Sequence, residues 1–529
     1  MGIRKILLAA LMIGGGAFAA PVATDSGAVD GVSKDGVMRF LGIPYAAPPV
    51  GALRWMPPQP AAKWSGVKQA DTFGPTCAQV TTLGPFAGPA NSNEDCLYLN
   101  VFTPDVKAKL PVLVWIHGGG YVDGESNDYD ASKLAHDGKM VVVTINYRLN
   151  LFGFLAVPAL KGSGNYGVQD MQAALRWVNT NIAAFGGDAG NVTVGGQSAG
   201  AGAAMAQVVS PGARGLIHRA ILQSGGYTPF ATKEVMLQKG AKFVAAAGCD
   251  KARNIAACLR AVPAAKIVTL AGTASANSPL VGSPYVDGEV IPRQTIDAIE
   301  SGDFNKVPMM IGTTLDEGNF FNGITQYFKP DHAAINEADT RDYLKAYGGN
   351  AGPGGAAPAY PTGTIDAVLM HYPLTLGAQI AWDRAHSDML ACRGQYISGA
   401  LSKQVPVYTY RFEDRTAPTY FPAMPDYQSL AYHTSDIQYV FTGYHGGPDG
   451  LPTHLDGKQQ FLSDRLIAAW ANFAGRGNPN GNGNVPWPRW REGAAYTFIQ
   501  DDAWRRTPTA AEFAAANNCD FWNSILLYR

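Results

Sequence analysis

The amino-acid sequence predicts an α/β protein built on one large, mostly parallel sheet with helices on both faces. The first observation behind this is a set of short apolar, β-branched runs: Leu110 to Ile116, Met140 to Ile145, Asn191 to Val194, Arg219 to Ser224, Val307 to Gly312 and Val405 to Phe412. They are apolar throughout rather than alternating, as strands covered on both faces are. The second is the helical pattern between these runs. Met171, Leu175, Val178, Ile182 and Phe185 recur at spacings of four and three, and Gly186-Gly187 end the pattern. A further Ala/Gly-rich helix is expected from Ala199 to Val209, closed by Ser210-Pro211. Strand, helix and strand in that order imply a parallel sheet whose ligands gather at the carboxyl ends of the strands. Gly/Pro/Asn-rich stretches at Gly348 to Gly363, Gly443 to Pro452 and Gly475 to Pro488 read as surface loops too short to separate domains. No internal repeat is present, so one domain over residues 20–529 is expected.

The 529 residues carry a net charge of -1, from 41 basic against 42 acidic residues, with 47% hydrophobic residues. Such a chain has material for a large core and no basic stripe for nucleic acid or an anionic membrane. Residues 1–19 read as a cleavable signal peptide: Arg4 and Lys5 precede an apolar run from Ile6 to Ile13, and Ala17-Phe18-Ala19 forms a small-residue cleavage site. A secreted or periplasmic protein without a membrane span follows as the expectation. In an oxidising compartment an even number of cysteines favours disulfides over metal ligands. Cys77, Cys96, Cys249, Cys258, Cys392 and Cys519 show no CxxC spacing, and pairing neighbours along the chain is the default among the possible connectivities.

The chemistry starts at Gly196-Gln197-Ser198-Ala199-Gly200. A bare GxSxG is weak, but here a strand precedes it and a helix follows. Strand, sharp turn and helix form a nucleophile elbow, in which glycines relieve a strained turn that holds the serine hydroxyl above the sheet. His117-Gly118-Gly119-Gly120-Tyr121 follows another buried strand. Its side-chain-free glycines allow backbone N–H groups of Gly119 and Gly120, with that of Ala199, to meet a developing oxyanion.

These residues resemble the type B carboxylesterases, and the resemblance runs nearly the whole mature chain. It is carried by FLGIPYAAPPVGALRW (Phe40 to Trp55), EDCLYLNVFTP (Glu94 to Pro104), the glycine loop, NYR (Asn146 to Arg148), GGDAGNVTVGGQSAG (Gly186 to Gly200), ILQSG (Ile221 to Gly225), DEG (Asp316 to Gly318), GNPN (Gly477 to Asn480), WPRW (Trp487 to Trp490) and CDFW (Cys519 to Trp522). It implies the α/β-hydrolase fold and a catalytic order of serine, glutamate and histidine. Ser198, Glu317 and His433 occupy the matching positions, the last set just before an apolar helical run. Without the resemblance, Asp316 is an equal candidate for the acid. His332, His371, His386, His445 and His454 are expected in polar loops or on solvated helix faces. The resemblance also supports the three neighbour disulfides, and it suggests buried structural ion pairs of Glu94 with Arg148 and of Asp170 with Arg54. It implies a small-molecule ester as substrate, no cofactor and no metal, and leaves the oligomeric state open.

Two departures bear on the substrate. Gln197 stands where most members of the family carry a Glu, and the Cys77 to Cys96 loop lacks the tryptophan on which cholinesterases stack choline. A quaternary ammonium would lose its charge partner and its aromatic face, so choline esters are disfavoured. The same loop is short and not amphipathic, which argues against an interfacial lid. Tyr121 and Gln197 are candidate substrate contacts. Counting back from Pro284 to Gly288 adds Ser278 and Leu280, which fall where cholinesterases narrow their acyl pocket with aromatics. Smaller side chains there imply acyl groups larger than acetyl, such as butyryl or aromatic acids. An amidase or peptidase on the same scaffold, and a binding module without the chemistry, are the alternatives.

Overall fold

The computed structural model describes residues 21–525 except 82, 84–87, 163, 273–279, 281, 350–362, 448–449, 482–485, 501–502 and 506. The expected signal peptide and Ser278 therefore lie outside the described residues. Eleven strands form the main sheet: β1 (Val32–Lys34), β2 (Val37–Pro44), β3 (Tyr98–Thr103), β4 (Leu110–Ile116), β5 (Val141–Ile145), β6 (Gly187–Gln197), β7 (Arg219–Gln223), β8 (Met309–Thr314), β9 (Val407–Phe412), β10 (Thr497–Gln500) and β11 (Ala503–Arg505). Their order is β11-β10-β9-β8-β7-β6-β4-β5-β3-β2-β1. The run from β10 to β5 is parallel, and antiparallel pairs flank it at both edges. The apolar runs predicted the parallel centre. The edge strands escape that reading because they are short or, in β2 and β3, interrupted by Arg39, Gly42 and Asn100.

Alternate residues of the central strands enter two separate cores. Val112, Val114, Val141, Val143, Val192, Val194 and Met309 face one layer with helices α1 (Tyr166–Asn181), α2 (Ala199–Val209) and α4 (Ala378–Ser402), while Leu113, Trp115, Val142, Ile221 and Met310 face another with helix α5 (Gly457–Arg476). Helix α3 (Gly318–Tyr327) follows β8. Every residue of β5 is buried, which explains its uninterrupted Val-Val-Val-Thr-Ile. Each fully buried Val or Ile contributes roughly 1.5–3 kcal/mol relative to exposure. Helix α1 gives way to a 3₁₀ turn over Ile182–Phe185, and Gly186 then takes a φ of 80°, the left-handed stop that its position predicted.

The disulfides join Cys77 to Cys96, Cys249 to Cys258 and Cys392 to Cys519, as expected. The last spans 127 residues and ties the C-terminal helix to α4, a closure that the chain-entropy model values at about 4.7 kcal/mol. The two buried ion pairs exist with their partners exchanged. Arg54 forks onto Glu94, its Nε lying 2.6 Å from Oε1, and Arg148 forks onto Asp170 through two contacts of 2.7 Å. Asp170 also accepts the backbone N–H of Arg148, while Arg54 donates to the carbonyls of Arg260 and Val262. Each guanidinium is thus fixed by bidentate and backbone bonds, so the expected pairing is corrected and the carboxylates remain structural. No single helix among the described residues is long and apolar enough to cross a membrane.

Candidate active site

The parallel strands deliver the candidate residues to one edge of the sheet. β6 lies between β4 and β7, pairing Gly196 with Ile116 and Gln197 with Gln223, so the chain leaves three adjacent strands at one level. Ser198 follows β6 with φ 57° and ψ -125°, and α2 begins at the next residue. For a residue with a Cβ such a conformation costs about 1–3 kcal/mol and persists only where neighbours enforce it. Here the N–H of Ser198 donates to the Gln223 carbonyl at 2.8 Å, and its carbonyl accepts from the N–H of Gly202 at 3.0 Å. A Cβ on Gly196 would sit 2.5 Å from the Ile116 carbonyl oxygen, and one on Gly200 would sit 2.0 Å from that same atom. The two glycines of the motif are therefore required by backbone approach.

The glycine loop leaves the end of β4. Gly119 and Gly120 have φ of 101° and 60°, and a Cβ on Gly119 would lie 2.0 Å from the Asp123 carbonyl oxygen. The carbonyl of Gly119 accepts the N–H groups of Val122 and Asp123, which folds the loop on itself. The amides of Gly119 and Gly120 meet no backbone acceptor among the described residues, and Ala199, the first residue of α2, has no helical one. His117 is buried, stacks on Tyr147 and contacts the Gly118 carbonyl. Burial pushes its pKa down to about 4, so it is neutral at physiological pH and belongs to the framework.

His433 comes from the long segment after β9. Its Nδ1 is hydrogen-bonded to Oε2 of Glu317, whose other oxygen accepts the N–H of Thr314 at 2.9 Å. Nε2 is buried without a hydrogen-bond partner, and the ring lines a cavity with Ser198. Phe320 and Phe321 pack on the ring. The segment after it makes only a 3₁₀ turn, Ile437–Tyr439, where a helical run was expected. Gln197 donates from Nε2 to the backbone carbonyl of His433 at 2.7 Å, which anchors the histidine segment to the elbow. Asp316 turns the other way. Arg415 grips both its carboxylate oxygens, and the N–H of Ala431 donates to it at 3.2 Å, so the neighbouring carboxylate is already occupied. Gly318 permits this DEG turn to press on α4, since a Cβ there would come 2.5 Å from Cα of Asp383.

Two cavities meet at Ser198 and His433. The larger, of about 110 Å³, is lined by Tyr121, Ala199, Phe230, Ser283, Pro284 and Phe321 and by one face of α4. The smaller, of about 30 Å³, is lined by Gly118, Gly119, Gln197, Tyr129, Glu125 and Asp128. Leu280 does not line the larger cavity. It packs on the cluster that contains Trp55, Leu151 and Phe152, whereas Ser283 and Pro284 line the cavity. His386, expected on a solvated face, is buried, contacts the Tyr343 hydroxyl through Nδ1 and lines the larger cavity. Burial holds its pKa well below the ordinary value.

Three residues at these cavities carry no sequence motif. Arg393 follows Cys392 and lines the larger cavity with His386 and Leu390, at i, i+4 and i+7 of α4. A charge on the apolar face of a helical pattern was the available signal. Glu125 and Asp128 follow the glycine loop directly, and their proximity to it was the signal there. Burial pushes Glu125 up to about 8, with Asp128 adding to the rise, and burial pushes Asp128 up to about 7. The pair therefore keeps a proton near neutrality. No group of three or more potential metal ligands occurs among the described residues.

Comparison with known proteins places this geometry. A family model described as the carboxylesterase family matches residues 19–522. The chain is 35% identical over 497 residues to the para-nitrobenzyl esterase of Bacillus subtilis (strain 168), covering 91% of this chain and 94% of that one. It is 32% identical over 536 residues to the medium-chain fatty acyl-CoA hydrolase precursor of Anas platyrhynchos, covering 95% and 92%. A solved structure of a PNB esterase matches with a TM-score of 0.74 at 33% identity, covering 91% of this chain and 96% of that one. The fold is that of the α/β-hydrolases, and the chain belongs to the carboxylesterase family, as a carboxylic ester hydrolase.

Proposed function

We propose that Ser198 is the nucleophile of this esterase, His433 its general base and acid, and Glu317 the carboxylate that orients the imidazole. What supports the reading most is the shared cavity at Ser198 and His433, with the far ring nitrogen of His433 held by Glu317. Nε2 takes the Ser198 proton as Oγ bonds to the ester carbonyl carbon. The amides of Gly119, Gly120 and Ala199 stabilise the oxyanion, one such donor being worth roughly 2.7–4 kcal/mol in the transition state. The carbon–oxygen bond to the alcohol breaks as Nε2 returns the proton to it. Water then adds to the acyl-enzyme by the same path and releases the acid. The disulfides and the apolar N-terminal run support export to an oxidising compartment.

The larger cavity is assigned to the acyl group and, at about 110 Å³, favours acids larger than acetyl. The smaller cavity is assigned to the alcohol side. Its Glu125, Asp128, Tyr129 and Phe320 supply the negative charge and ring surface that Gln197 and the Trp-free loop do not. At about 30 Å³ it holds only one or two waters, so size rather than charge excludes a trimethylammonium group.

Ser198→Ala is expected to abolish turnover of a p-nitrophenyl ester while leaving the melting curve in place. Retention of more than roughly a few per cent of the rate would remove the nucleophile assignment. Glu317→Gln should lower kcat by roughly 10³- to 10⁴-fold. Asp316→Asn should instead lower Tm through Arg415, with a much smaller effect on kcat, and the reverse ranking would move the acid by one residue. Butyrylcholine and its uncharged isostere, 3,3-dimethylbutyl butyrate, should both show a kcat/KM well below that of ethyl butyrate. A butyrylcholine value well above that of the isostere would mean that a cation reaches Glu125 and Asp128. Because the folded pKa of Glu125 lies above its ordinary value of 4.5, its ionisation removes stability as pH rises from there to about 8. Glu125→Gln escapes that loss, so thermal melts should show its Tm, relative to wild type, higher at pH 9 than at pH 5. An equal difference at both values would contradict the raised pKa.

A further inference from the structure

Helix α4 gives the larger cavity three side chains, His386, Leu390 and Arg393. Leu390 and His386 suit an ester pocket, and buried His386 adds no charge. Arg393 does not suit it. It is 2% exposed, its Nε has no hydrogen-bond partner, and the guanidinium takes part in no ion pair, hydrogen bond or aromatic stacking among the described residues. Three buried carboxylates around the site are committed elsewhere: Glu317 to His433 and Thr314, Asp383 to Ser387 and Asn319, and Asp436 to Gln223 and Tyr410. Ser224 and Ser283 line the same cavity, and their buried hydroxyls also lack partners.

A guanidinium removed from water without a counter-charge is strongly unfavourable, and proteins keep one where something else completes it. Its planar fork matches a carboxylate, and two serine hydroxyls can donate to the same group. The occupant of this cavity, on the acyl-enzyme reading proposed above, is the acyl part of the ester. We infer that the enzyme is selective for acyl groups that end in a carboxylate, that is, for half-esters of dicarboxylic acids, with Arg393 as the residue that recognises the free carboxylate. Hydrolysis of such a half-ester consumes one water and yields the dicarboxylate and the alcohol, with the free carboxylate unchanged throughout.

The test compares p-nitrophenyl half-esters from malonate to adipate with the same compounds capped as methyl esters, which keep the length and remove the charge. The best half-ester is expected to exceed its capped partner in kcat/KM by roughly tenfold or more, since a site built for a polar group discriminates strongly against its absence. Arg393→Gln should collapse that ratio by a similar factor, and Arg393→Lys should keep part of it. In Ser198→Ala, calorimetry should find free glutarate binding roughly tenfold or more tighter than glutaramide. That measurement and the wild-type ratio stand even where Arg393→Gln does not fold. A wild-type preference for the capped esters would overturn the inference. So would an unchanged ratio in Arg393→Gln, an equal gain from a carboxylate placed on the alcohol, or inhibition by chloride without half-ester selectivity. Turnover of the capped esters reports on the esterase reading separately. Its absence, with glutarate still bound, would remove that reading and leave the anion site.

Discussion

At Ser198 the backbone leaves β6 with a φ of 57°, and most of the site's geometry depends on that turn. It is held because β6 is clamped between β4 and β7 and because Gly196 and Gly200 let α2 start against the Ile116 carbonyl. The close approach sets the glycine loop that follows Ile116 beside the amide of Ala199. It also brings Gln197 within reach of the His433 carbonyl. Relaxing the turn would disturb Ser198, the glycine loop and the histidine segment together, because all three share these contacts.

The electrostatics follow a division of labour among buried groups. His117 and His386 are kept neutral by burial, whereas the His433 ring has the Glu317 carboxylate on its Nδ1. Asp316 is tied to Arg415, which leaves Glu317 to face the ring. Below the histidine segment, Asp436 accepts from Gln223 and Tyr410, binding that segment to β7 and β9. Arg393 is the exception, a buried charge with no ion-pair or hydrogen-bond partner among the described residues, and it lines the larger cavity.

Much of this was legible in the sequence, for local reasons. The elbow and the glycine loop are demanded by backbone contacts within a few residues, so glycine spacing reports them directly. The parallel centre of the sheet was legible because strands buried on both faces are apolar throughout. What was not legible depends on residues far apart in the chain. Asp316 and Glu317 differ only in that Arg415 reaches back to the first and His433 to the second. The ion pairs of Arg54 and Arg148 were expected crosswise, because which arginine forks onto which carboxylate is set by contacts distant in the chain, such as those of Arg54 with the carbonyls of Arg260 and Val262. His386 was expected on a solvated surface, and Arg393 sits in no motif; which face of α4 turns inward is set by packing distant in the chain. Leu280 was placed by counting, and it packs on another cluster.

The central claim is that one serine, made reactive by this turn and by His433, carries the acyl group. Intact-protein and peptide mass spectrometry after treatment with a fluorophosphonate measures that directly. A single adduct on Ser198, appearing in step with loss of esterase activity, is the predicted result. An adduct on another residue, or full inactivation with Ser198 unmodified, would contradict the account.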